Sequence, residues 1–376
     1  DQDRLQRAKV LIVGAGALGN EIAKNLALLG VGNVFIADRD RVENSNLSRS
    51  ILYRESDNGR SKAEAAAAAM RAVYPGMTVQ PFHGNVVYDL GLGVYRWADV
   101  VLAGLDNREA RLSINRNCFR LGRPWIDGAI EQIQGVARVF IPDGPCYECT
   151  MSEIDWQLLQ RRRSCNLLSR QDMEHGRTPT TPTISSIIAG VQCQEAVKLL
   201  HGLETLRGEG WIYEGLSGDS WRAAYQRKDD CYSHDPLDEV IPLDAGARDL
   251  TVRQLIDEAR RLLGDEVQIE LARDVLETLR CPKCGAEETL FASLGRVTAD
   301  KAFCPNCDGV RREVVTFFRL SGTEPFAERT LAEIGVPEFD LLIARTAERS
   351  VGLELAADAP VVLGPLAGTE EALEWL

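Results

Sequence analysis

No run of about twenty uninterrupted apolar residues, the length a membrane-spanning helix needs, occurs in this 376-residue chain. Its most apolar helical stretch, Ile184 to Leu200, is broken by Gln192, Gln194, Glu195 and Lys198, so no membrane association is expected. No secretory leader opens the chain, which points to the cytoplasm. Positive charge is scarce, with 43 Lys and Arg against 56 Asp and Glu and a formal charge of −13. That balance would repel nucleic acid or an anionic membrane within a Debye length and excludes both as the main partner. Repeats and low-complexity tracts are also missing. Cysteine is the exception: there are ten, most of them in pairs with two residues between, and without a leader they read as metal ligands rather than disulfides.

The chain is organised around Lys9 to Arg49. A β-branched run, Lys9 to Val13, leads into Gly14, Gly16 and Gly19 in a G-x-G-x-x-G loop, then a helical pattern from Glu21 to Leu29 and a second strand from Asn33 to Asp38. This is a βαβ unit whose glycines let backbone amides at a helix N-terminus approach phosphate oxygens. After the second strand come Asp38, Asp40, Asn46 and Arg49. One acid there suits a ribose; the added amide and guanidinium are what polyphosphate recognition would use. Further on, a helix is expected over Asn58 to Val73 and carries Lys62 one turn in, and a buried strand, Asp99 to Leu105, ends at Asp106. Ligands of open α/β sheets lie off the carboxyl ends of strands, so Gly14, Asp38 and Asp106 should converge. The alternative for Asp106, a cap for the helix beginning near Arg108, is outweighed by its position opposite the glycine loop.

Beyond about Leu250 the pattern changes to α+β: a helix over Thr251 to Leu263, strands near Glu266, Arg312, Leu341 and Val361, and a short helix over Thr330 to Gly335. Cys281, Cys284, Cys304 and Cys307 have the C-x2-C, x19, C-x2-C spacing of a zinc ribbon, a closed and therefore structural site.

The chain resembles the ThiF/MoeB and ubiquitin-activating-enzyme superfamily from about Lys9 to His234. The shared motifs are the glycine loop, Asp38-x-Asp40-x-Val42, Ser45 to Arg49, Gly59 to Glu64, Leu105-Asp106-Asn107 with Arg111, the Cys146 and Cys149 pair, and Pro179 to Thr183 before a helix. One departure is Ser50, where many members have Gln. The resemblance implies a Rossmann-like α/β adenylation domain with a mixed, mostly parallel sheet over residues 1–245, containing a crossover segment at 152–183. A smaller α+β domain with the ribbon at 281–307 would follow over 246–376 and dock partners. The implied activity is ATP-dependent adenylation of the C-terminal glycine of a ubiquitin-like protein in a homodimer, with later handover to a conjugating enzyme. Asp38, Asp40, Asn46, Asn107, Arg49 and Lys62 would hold ATP, and Asp106 magnesium. A second zinc site would combine Cys146 and Cys149 with Cys231 and His234, where the superfamily has a second cysteine pair. The arginine that members supply from an N-terminal helix of a second subunit has no recognisable counterpart in Arg4 or Arg7.

Removing these ligands leaves Cys118, Cys165 and Cys193. The first and last lie in apolar helical patterns as inert thiols. Cys165 follows Arg161 to Arg163, whose charge would stabilise a thiolate, and is the expected thioester nucleophile. Competing readings are a sulfur-carrier adenylyltransferase without a thioester, an NAD(P)-dependent dehydrogenase, and an inactive adaptor. A chain ending near Asp244 is expected to keep adenylation and to lose handover.

Overall fold

The computed structural model describes residues 1–156, 180–294, 297 and 299–369. A short helix α1 (Gln2–Arg7) precedes β1 (Lys9–Val13), followed by α2 (Ala17–Leu29), β2 (Asn33–Asp38), α3 (Lys62–Val73), β3 (Thr78–His83), α4 (Leu92–Trp97), β4 (Val100–Ala103), α5 (Arg108–Arg120), β5 (Trp125–Glu131) and β6 (Gln134–Phe140). Then come α6 (Pro182–Leu200), β7 (Glu209–Glu214) and β8 (Asp219–Ala224). These strands form one sheet in the order β3-β2-β1-β4-β5-β6-β7-β8. It is parallel from β3 to β5 and antiparallel from β5 to β8. β1 is buried along its whole length, as its unbroken apolar run requires. Strand order reverses between β2 and β4 around β1, the position where an open α/β sheet opens a ligand crevice. One apolar cluster joins the sheet to α2, α3 and α6; a second joins its other face to α4 and α5.

A second sheet contains β9 (Glu239–Leu243), β10 (Gln268–Arg280), β11 (Glu287–Ser293), β12 (Glu313–Leu320), β13 (Leu341–Arg345) and β14 (Ser350–Leu355), with α7 (Val252–Leu263) against it. Its order is β11-β10-β13-β14-β9, and β12 pairs with β10. β9 precedes the expected division at 245 and pairs in parallel with β14. The two sheets share a core. Phe339, Ala359, Leu363 and Leu366 are buried in the same cluster as Phe35, Trp97 and Leu90 of the first sheet's side, and Trp97 Nε1 donates to Thr369 Oγ1 at 3.1 Å.

Three local expectations are corrected. α3 starts at Lys62 rather than Asn58, because residues 59–61 bond back to Arg41 and Val42 and Ser61 caps the helix. The segment around Val361 is a helix, α8 (Ala359–Leu363), with Pro360 in its first turn. The helix expected over Thr330 to Gly335 is a single 3-10 turn, Ala332–Ile334, stopped by Gly335 at φ 90°. Among the described residues no helix is long and apolar enough to cross a membrane.

Candidate functional site

Val13, Ala37 and Ala103 lie side by side in register, so β1, β2 and β4 finish in one line. Beyond that line the backbone comes too close for side chains. A Cβ on Gly14, whose φ is 93°, would sit 2.6 Å from the Gly104 carbonyl, and one on Gly19 would sit 1.9 Å from the Gly14 carbonyl. Gly16 has open space and is the N-cap of α2, whose first-turn amides have no partner inside the helix. Two buried residues that sequence reading missed brace this loop. Asn20 donates to the Ala15 and Gly16 carbonyls and accepts from Leu52 N, and the Tyr53 hydroxyl donates to Ala15 O at 2.6 Å.

Asp38 accepts from Ala15 N and from Asp40 N, both at 2.7 Å. Burial pushes its carboxyl above the ordinary value, against the pull of the Lys62 ammonium and the Ala15 amide. Lys62 is buried at the first position of α3 and places Nζ 2.9 Å from Asp40. Asn46 is buried, and its side-chain oxygen accepts from Glu43 N at 3.0 Å. Arg49 is half-buried and donates to Ser45 O at 2.9 Å.

Across the crevice Asp106 is exposed. The cap of α5 is the next residue, Asn107, whose side chain accepts from Ala110 N at 2.8 Å. Asp106 thus leaves its carboxylate outside the helix-capping bond. Arg111, one turn on, is buried and donates to Leu105 O, to Gly128 O and to Asp127, fastening the strand end that carries Asp106. Asp127 also takes Arg138. Burial would raise the Asp127 carboxyl, but the two guanidiniums hold it below its usual range.

Cys146, Cys149, Cys231 and His234 bring their ligand atoms within 4.8 Å of one another, as do Cys281, Cys284, Cys304 and Cys307. Cys146 Sγ lies 3.7 Å from Cys149 Sγ and 3.5 Å from Cys231 Sγ; Cys284 and Cys304 are 3.7 Å apart. Tetrahedral zinc at about 2.3 Å from each sulfur spaces its ligands by roughly this distance, so both sets could hold it. Backbone amides also point at the sulfurs: Lys228 N at Cys149, Cys284 N at Cys281 and Asn306 N at Cys304, each at 3.4 Å. Phe119 stacks on His234, fixing the imidazole. Cys118 and Cys193 are buried, and burial pushes the Cys193 thiol to about 12 and that of Cys118 well above its usual value. Cys165 lies outside the described residues, as does residues 157–179 of the crossover segment.

One surface depends on strand register and was not read from sequence. Ala129, Val136, Ile212 and Trp221 lie opposite one another across β5, β6, β7 and β8. They form an apolar row on one sheet face, with Trp221 49% exposed. Beside it runs an acidic and amide row, Glu131, Gln134, Glu214 and Asp219.

A glycine loop, acids on two strand ends and a lysine lie off the parallel half of the sheet, the arrangement of an open α/β fold with a ligand crevice. The model of the ThiF family matches residues 1–233, and the chain belongs to that family. It is 33% identical over 238 residues to the SAMP-activating enzyme E1 of Haloferax volcanii, covering 61% of this chain and 81% of that protein. It is 30% identical over 243 residues to the sulfur carrier protein adenylyltransferase of Thermus thermophilus, covering 61% and 83%. Among solved structures, Escherichia coli MccB with ATP shares the fold, with a TM-score of 0.52 at 21% identity over 62% of this chain and 68% of that one.

Proposed function

We propose that the protein is an ATP-dependent adenylyltransferase acting on the C-terminal glycine of a ubiquitin-like protein. The observation that carries this reading is the alignment of the strand ends, which sets Asp38, the Asp40 and Lys62 pair, and Asp106 around one glycine loop. Asp38 suits the ribose hydroxyls. Lys62, Arg49, Asn46 and Asn107 suit the triphosphate. The glycine carboxylate attacks the α-phosphorus, the bond from that phosphorus to the bridging oxygen breaks, and pyrophosphate leaves. The chain's part is alignment and charge compensation, with little covalent work. A magnesium ion held by Asp106 would neutralise charge on the leaving pyrophosphate.

The row from Ala129 to Trp221 supports a protein substrate, since a half-buried apolar stripe ending in exposed Trp221 beside an acidic one fits a globular partner with an apolar centre and a basic margin. Zinc in both four-ligand sets, a homodimer, and docking of a conjugating enzyme on the second domain belong to the same reading. So does a thioester on Cys165, which a thiol-labile adduct absent from Cys165→Ala would support. The similarity to a sulfur carrier adenylyltransferase favours a second reading, in which the adenylate passes directly to a sulfur donor. ATP–pyrophosphate exchange tests the shared step: it should require ATP and a partner ending in glycine, and its absence with every such partner would overturn the proposal.

A further inference from the structure

The loop from Asn85 to Leu90 lies between the first sheet and the ribbon strands, and the ribbon holds it from several sides. Tyr88 is 6% exposed, in an apolar cluster with Leu276, Leu279, Leu294 and Ala302 of the second domain. Arg273 of β10 donates from one nitrogen to Tyr88 O at 3.2 Å and Leu90 O at 3.0 Å, and from another to buried Asp340 at 3.0 Å. Ser293 of β11 donates to Asp89 at 2.8 Å. From this clasp the Tyr88 hydroxyl reaches α5, donating to Glu109 Oε1 at 2.9 Å. Glu109 is in the first turn of α5, two residues after the Asn107 cap and three after Asp106.

We propose that Tyr88 is a positioning residue through which the four-cysteine ribbon sets the placement of Asp106, and hence the affinity of the crevice for magnesium-bound ATP. The inference rests on the adenylation reading for its ligand, but not for its geometry. A ribbon with its metal orders the turn between β10 and β11 and the start of β12, because the four thiolates tie those segments together. That order fixes Leu276, Leu279 and Leu294 around the Tyr88 ring, and the ring fixes its hydroxyl under Glu109. The path runs through apolar packing from the ribbon strands to the Tyr88 ring and then through one hydrogen bond to the first turn of α5, a physical chain of the kind that can carry coupling between sites. Loss of ribbon metal then loosens the first turn of α5 through Tyr88. The second domain then tunes activation as well as docking partners.

The test compares wild type with Tyr88→Phe, which keeps the ring and removes the hydroxyl, with Glu109→Gln, and with Cys284→Ser, which removes one ribbon ligand. Two readouts are taken: amide hydrogen exchange at residues 106–112 without nucleotide, and the Kd for ATP with magnesium by calorimetry. In Tyr88→Phe exchange in that turn should accelerate and the Kd should rise about fivefold, the lower end of usual coupling, with the thermal midpoint nearly unchanged. Cys284→Ser should show the same shift alone and no further shift when added to Tyr88→Phe. Unchanged exchange in Tyr88→Phe, or shifts that add in the double variant, would overturn the proposal. If Cys284→Ser fails to fold, Tyr88→Phe and Glu109→Gln still decide it. A wild type that binds no ATP, yet shows the exchange pattern, would count against the adenylation reading alone.

Discussion

Asp40 and Lys62 are joined twice: the Lys62 ammonium lies 2.9 Å from the Asp40 carboxylate, and the Lys62 amide donates to the Asp40 carbonyl at 3.0 Å. The backbone bond fixes where α3 begins, and the ion pair holds the ammonium at the crevice. Asp40 is 47% exposed at its side chain and Lys62 only 11%, so a phosphate can take the lysine without dragging it from a buried partner. Lys62→Ala should raise the KM for ATP in pyrophosphate exchange by tenfold or more, on the order of a lost charge-assisted bond. Asp40→Asn should have the smaller effect. Equal KM values in wild type and Lys62→Ala would remove the lysine from phosphate binding.

Asp106 and Asn107 should differ in what their loss does to stability. Asp106→Asn is expected to lower exchange about a hundredfold, in the range of lost electrostatic stabilisation, with its melting temperature unchanged because the side chain is exposed and caps nothing. Asn107→Ala removes the cap of α5 and should cost about 1 kcal/mol in denaturant unfolding.

Metal content offers an independent check. Zinc analysis of the purified protein should find two ions per chain, one for each four-ligand set, and one in either Cys231→Ala or Cys284→Ala. Chelation should lower the melting temperature, because the first set ties the segment after β6 to residues 231–234. Retention of both ions in Cys231→Ala would dissolve the assignment of that set.

The buried triad of Asp127, Arg111 and Arg138 predicts acid sensitivity. The Asp127 carboxyl is held below its unfolded value, so its stabilisation is complete above about pH 4 and is lost as pH falls through the depressed folded value. Asp127→Ala strands two guanidiniums and should cost about 3–5 kcal/mol at neutral pH. Compared with wild type, its stability should change less between pH 5 and pH 2. A parallel acid profile would show that other carboxylates govern acid unfolding.

Truncation should unfold more than the second domain. Leu363 and Leu366 are 1% and 0% exposed within the cluster that covers α4 and α5. Removing residues 356–376 should therefore cost several kcal/mol, at roughly 1.5–3 kcal/mol per buried leucine, and should lower exchange as well. A chain ending near Asp244 would lose Phe339 besides. This replaces the expectation that such a chain keeps adenylation, and full exchange by it would restore that expectation.

What the sequence made legible was local. The glycine loop, the acids at strand ends and the four-cysteine ribbon depend on short spacings, and each pattern carries its own geometry, whereas joining Cys146 and Cys149 to Cys231 and His234 took the family resemblance. The rest depends on long-range pairing. Nothing near Glu239 signals that it lies beside Val351, and the row of Ala129, Val136, Ile212 and Trp221 exists only once the register of four strands is fixed. The cap of α5 fell one residue from the acid that a sequence reading would weigh for it. Val361 sits in an apolar run too short to tell strand from helix by periodicity, and Pro360 together with the Asp358 side chain, which accepts from Ala247 N and Phe339 N, decides the outcome.

The shared cluster around Trp97 also sets an order of events during synthesis. By the time residue 233 has left the ribosome every strand of the first sheet exists, but the surface destined for Leu363 and Leu366 is bare. At about 5–20 residues per second, the 133 residues from 233 to 366 take roughly 7 to 27 s to appear. For that interval the strands of the first sheet are present without the side chains that complete its core, and the nascent chain exposes an apolar flank that a holding chaperone would cover.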